Sequence, residues 1–168
     1  MQWKEAATKV PEAKDGSGYM KFKVGANKFR ILSEPIMGWE YWTEDSKSIR
    51  VHEYPSTIPA DIRKGEAPKF FWAFVVWNFT TKAVEILEIT QRTIIEPMQE
   101  LIGSEEWGDP TGYSITVNRS GSDKESTTYS VVPSPAQATP AEVLQAYKDK
   151  PINLDALFDG GNPFEVAA

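Results

Sequence analysis

Aromatic rings sit beside cations twice in the first half of the chain, in Lys28-Phe29-Arg30 and Lys69-Phe70-Phe71-Trp72, and a third ring cluster, Trp39-Glu40-Tyr41-Trp42, lies between them. That pairing has a specific use. An exposed ring stacks on an unpaired base, contributing about 1–3 kcal/mol per base, while Lys and Arg follow the phosphates. Stacking tolerates every base, so such a surface binds without strong sequence preference. The same rings also suit a hydrophobic core, and for Phe70, Trp72, Phe74 and Trp77 both roles stay open. Trp39, Tyr41 and Trp42 lie in a less uniformly apolar stretch, which suits stacking better. Arg50 and Arg119 extend the cationic set of Lys28, Arg30 and Lys69.

Other chemistries find little to work with. There is no cysteine, which excludes disulfides and thiolate chemistry, and His52 is the single histidine. Zinc needs about four ligands, usually Cys or His. Glu105, Glu106 and Asp109 are close enough in sequence to hold a divalent cation, as a nuclease would, but they serve equally as decoration of a helix end and a turn. His52 with Asp45, Ser46 and Ser48 lacks the nucleophile-elbow pattern. No phosphate-cradling GxxxxGK[ST] loop is present. The expectation is therefore no catalytic residue, no metal and no cofactor.

The net charge of -6 argues against a polyanionic partner, but its distribution does not. Residues 1–82 carry 13 basic against 10 acidic side chains, and residues 83–168 carry 5 against 14. An acidic total can thus hide a basic surface.

The elements that must position these residues follow from periodicity. Residues 1–20 mix Lys and Glu with small residues around Asp15-Gly16-Ser17-Gly18 and read as a flexible arm. A short strand is expected over Met20–Val24, and half-buried strands over Lys28–Leu32 and Ile36–Thr43. Residues 44–68 read as one long loop. Lys69–Thr80 is the clearest strand, apolar on both faces: one row must fill a core, and the other must meet a helix, a partner or a ligand. Thr80-Thr81-Lys82 turns the chain into a returning strand over Ala83–Ile89. A helix is expected over Thr90–Ile102, with Ile94, Ile95, Met98, Leu101 and Ile102 on one face and an awkward Pro97 inside. Strands over Tyr113–Asn118 and Thr127–Val132 follow, then a short helix over Ala141–Lys148. Strands that run in sequence, with one helix between the third and fourth main ones, lay out an antiparallel OB-type barrel. The runner-up is another small α+β sheet with the helix on one face. The domain spans 21–140, and 141–168 adds the short helix and a flexible acidic tail.

Several stretches, in this order, resemble those of tailed-phage single-stranded DNA-binding proteins: Asn27-Lys28-Phe29-Arg30-Ile31-Leu32-Ser33, Gly38-Trp39-Glu40-Tyr41-Trp42, Phe71-Trp72-Ala73-Phe74-Val75-Val76-Trp77-Asn78, Ile86-Leu87-Glu88-Ile89-Thr90-Gln91, and Trp107-Gly108-Asp109-Pro110 with Tyr113 and Ile115-Thr116-Val117-Asn118-Arg119. The likeness covers about residues 27–135. It implies an OB-fold accessory of phage replication, recombination or repair. Such a protein coats single-stranded DNA and recruits replication or recombination proteins through an acidic tail, here Asp155, Phe158, Asp159, Phe164 and Glu165. The tail departs from that pattern in having only three acids and in running past the Phe. The expected DNA contacts are Lys28, Arg30, Trp39, Tyr41, Trp42, Arg50, Lys69, Trp72 and Arg119. No apolar run is long enough to span a bilayer, and no signal-peptide stretch opens the chain, so no membrane partner and a cytoplasmic location (the host's, if phage-encoded) are expected. A homodimer, a single-stranded RNA ligand and a protein-interaction or virion structural role stay open as alternatives.

Overall fold

The computed structural model describes residues 18–166 together with Trp3. Seven strands form one antiparallel sheet: β1 (Gly25–Ile31), β2 (Ile36–Trp42), β3 (Ser48–Val51), β4 (Lys69–Asn78), β5 (Ala83–Ile89), β6 (Ser114–Ser120) and β7 (Thr128–Pro133). Helix α1 (Arg92–Gly103) follows β5, and helix α2 (Ala141–Asp149) follows β7. The expected mainly β, antiparallel architecture is present. The sheet runs β3-β2-β4-β1-β6-β7, with β5 on the other edge of β4. Among the described residues no ladder joins β5 to β7, so the sheet is not closed.

One edge of β4 carries two strands in succession. Ile31 pairs with Val76, and Ile36 pairs with Ala73. Leu32-Ser33-Glu34-Pro35 therefore forms a bulge that bends one long strand into β1 and β2, as extra residues in a ladder do. Pro35 has no N–H to offer that ladder. The Val75 N–H donates instead to Ser33 Oγ at 2.8 Å, so the defect leaves no orphaned donor there.

The two rows of β4 enter two different packings. Phe74 and Val76 join Phe29, Ile31, Leu87, Ile89, Ile115 and Val117 in the main core. Helix α1 lays Ile94, Ile95 and Met98 of the expected stripe on that core and continues through Pro97, whereas Leu101 is half-buried and Ile102 exposed, outside that core. Phe71 and Ala73, with Ile86 of β5, face the opposite way. They are covered by Ile152, Leu154, Leu157, Phe158 and Phe164.

The expected flexible tail is thus corrected: the C-terminal segment lies on the sheet because a strand apolar on both faces needs a second cover. The Phe158 ring stacks on the His52 imidazole, with centroids 3.7 Å apart. Lys150 Nζ donates to the Val84 carbonyl at 2.8 Å. Gly38 lies beneath this cover, where a Cβ would collide with the Val51 carbonyl and crowd the Phe158 ring.

Three other expectations change. Most of the arm expected over residues 1–20 lies outside the described residues, but Gly18 and Met20 bond to Ile86 of β5 at 2.9 and 2.8 Å, so the end of that stretch is anchored. Met20–Val24 is not a strand, because the Asn27 side chain bonds both the N–H and the carbonyl of Lys23, where a partner strand would otherwise pair. The long loop over 44–68 contains β3 and is clipped to β2 through a Thr43–Ile62 bridge.

Replacing Phe158 by Ala should destabilise the fold by about 1–3 kcal/mol, below the cost of a fully buried ring because this one is half-buried. Urea unfolding measures this, and an unchanged midpoint would show that the segment adds nothing to stability.

Candidate nucleic-acid interface

The β2–β4 register puts Met37 opposite Trp72 and Trp39 opposite Phe70. Directly opposed residues share a face, so the alternating row Met37, Trp39, Tyr41 meets the row Phe70, Trp72. This face lies beyond the main core and looks towards α1. Between them runs a groove of two adjoining cavities, about 440 and 600 Å³, whose walls share Met37, Trp72 and Gln99.

The rings at this groove are not sealed inside. Trp39, Phe70 and Trp72 are half-buried, and Tyr54 is 51% exposed. Trp39 is the centre of the cluster, edge-on to Tyr54 at 4.8 Å and to Phe70 at 5.5 Å. Met37 adds an exposed thioether. Lys69 and Arg92 line the larger cavity together with Glu96, which lies 3.9 Å from Arg92. The smaller cavity is floored by Ile31, Phe74 and Met98 and carries Glu34 and Asp109 in its wall.

Of the nine expected DNA contacts, Trp39, Lys69 and Trp72 line this groove, and Tyr41 stands on the same face of β2. The other five lie elsewhere. Trp42 is on the opposite face, with the Arg63 guanidinium 5.7 Å from its ring centroid. Lys28 is exposed on β1, its Nζ 4.7 Å from the Phe79 centroid.

Arg30 is a correction. It is 3% exposed, and its Nε and Nη2 donate to the Thr111 carbonyl at 3.0 and 2.6 Å, so it ties β1 to the turn before β6 rather than reaching a phosphate. Burial also lowers its pKa from the usual arginine value. Arg119, on β6 opposite Gly25 at the start of β1, donates through Nη1 to the Phe22 carbonyl at 2.9 Å.

Arg50 is the second correction. Its guanidinium pairs with Glu88 at 2.5 Å and Glu40 at 3.4 Å, and all three side chains are largely shielded from water. A charge removed from water must be paired, and here the Glu88 carboxylate, with the Glu40 carboxyl group beside it, does the pairing and leaves no phosphate site. Burial pulls Arg50 down, but its contacts with Glu88 first and then Glu40 outweigh it and hold it above its usual range. Glu40 is pushed up to about 8, by burial first and then by the adjacent Glu88.

In the tail, Asp155, Asp159 and Glu165 point outward as exposed side chains, while Phe158 and Phe164 are half-buried. Glu105, Glu106 and Asp109 do not converge. Among the described residues no group of three potential metal ligands occurs, and Asp109 accepts through Oδ1 from the Thr111 N–H and hydroxyl, which hold its pKa low. No helix among the described residues is long and apolar enough to cross a membrane.

Sequence reasoning missed Met37, Tyr54, Arg92 and Gln99. The first three had a signal in kind, an exposed thioether, ring or cation, but no periodicity links loop residue Tyr54 to Trp39. No family model, curated protein or solved structure matches the chain.

The Glu40 shift carries a pH prediction. Its folded pKa lies above its unfolded value, so the native state binds the extra proton between about pH 4.5 and 8. Stability should therefore fall as pH rises through that window. Glu40→Gln should flatten the slope, as measured by urea unfolding at pH 5 and pH 8.5. An unchanged slope in the variant would show that the carboxyl titrates normally.

Proposed function

We propose that this chain binds single-stranded DNA without strong sequence preference, in the groove between β2, β4 and α1. The observation that carries the reading is the half-exposed ring cluster of Trp39, Tyr54, Phe70 and Trp72 beside Lys69 and Arg92. Rings that remain wet after folding are available to stack on bases, and cations at the groove wall meet the phosphates.

The fold supports the same reading. With β1, β4, β5, β6 and β7 taken as the five strands of an OB unit, α1 falls between the third and fourth, and β2–β3 becomes an added hairpin that widens the groove. The opening between β5 and β7 is compatible with a partly open barrel of that kind. The resemblance to phage single-stranded DNA-binding proteins points to replication, recombination or repair. Exposed Asp155, Asp159 and Glu165 are free to meet a basic partner protein while the tail's apolar residues stay on the sheet.

Titration with oligo-dT, followed by tryptophan fluorescence, tests this. Quenching is expected at low salt, with affinity falling as salt rises because bound counterions are released. Trp72→Ala should weaken binding by about 1–3 kcal/mol. An oligo-U series compares RNA, since stacking does not sense the 2′-hydroxyl. Absence of both quenching and complex formation at low salt would overturn the proposal.

A further inference from the structure

The two halves of the groove differ in charge. The larger cavity has two cations in its wall, Lys69 and Arg92, and one carboxylate, Glu96, beside Arg92. The smaller has no cation: its charged residues are Glu34 and Asp109, both exposed, above a floor of Ile31, Phe74 and Met98. A phosphate entering that end would meet carboxylates and an apolar floor. The group that fits is flat, uncharged and apolar on its faces, and it donates hydrogen bonds from its edge.

Resting on the single-stranded DNA reading, we infer that the smaller cavity is a base pocket favouring bases with an exocyclic amine, cytosine foremost. The cytosine amine donates to a carboxylate, a pairing that Asp and Glu make with this base. Thymine presents a carbonyl at the same position and would set its oxygen against Glu34 or Asp109. Trp72 lines both cavities, so its ring is positioned to stack on the base held there or on its neighbour. The strand then has a direction of fit. Its phosphates pass Lys69 and Arg92, and one base turns in at the acidic end. The rest of the strand is held by stacking, so the preference acts at one position within otherwise indifferent binding.

Equal-length oligo-dC and oligo-dT should be titrated against the wild-type chain and against the Glu34→Gln, Asp109→Asn double variant. The wild type should bind oligo-dC about five- to tenfold more tightly than oligo-dT. In the variant that ratio should fall towards one, because neutral amides both donate and accept. The change in ratio is the readout, since the two homopolymers differ in their own stacking. Equal affinities in the wild type, or a dC preference that the variant keeps, would overturn the base pocket while leaving the DNA reading standing. Binding of neither oligomer would overturn the DNA reading itself.

Discussion

A strand that is apolar on both faces cannot remain at a surface, and β4 is such a strand. Burying an apolar side chain contributes roughly 1.5–3 kcal/mol, so each row of β4 draws in a cover. One row takes the main core and α1, and the other takes the C-terminal segment from Ile152 to Phe164. Neither cover reaches over the ring cluster at the N-terminal end of the even row. Phe70 and Trp72 stay half-buried there, and the hairpin of β2 and β3 adds Met37, Trp39 and Tyr41 beside them. The groove is what the two coverings leave.

The bend at Leu32–Pro35 makes that possible. Without extra residues, β1 and β2 would continue as one straight strand along β4. With them, the ladder shifts, Ser33 satisfies the Val75 N–H, and β2 runs on as part of a three-stranded extension with β3 and β4. The extension has its own electrostatic centre on the face away from the groove, where Arg50 is held between Glu40 and Glu88. That centre ties β2, β3 and β5 together, and it takes one cation out of reach of any ligand.

Much of the fold was legible in the sequence because its signals are local. β4, β5, β6, β7 and α1 follow from alternation, helical spacing and turn residues, within a few positions. The antiparallel pairing of β4 and β5 follows from a short turn. The two apolar rows of β4 even implied a second cover, although its identity did not follow, because Leu157 and Phe158 are distant in sequence and sit among Gly, Asp and Asn that suit a loose terminus. The site was less legible. Lysines and arginines read alike in sequence, whether paired inside or free outside. Arg30 is held by a carbonyl, and Arg50 by the carboxyl groups of Glu88 and Glu40, which only the folded register brings near. The rings fared better, since Trp39 and Trp72 do meet at the groove, and Tyr54 was missed because a loop has no period to read.

The six tryptophans offer the most direct measurement. Each indole N–H gives its own NMR signal, and an oligonucleotide should perturb those it touches. With oligo-dT added at low salt, the Trp39 and Trp72 signals should shift together. Trp107, packed on Tyr113 at 5.3 Å, and Trp77, which shares a face with buried Arg30, should stay in place. Shifts confined to Trp77 and Trp107, or no shift in any of the six, would contradict a strand-binding groove on this face.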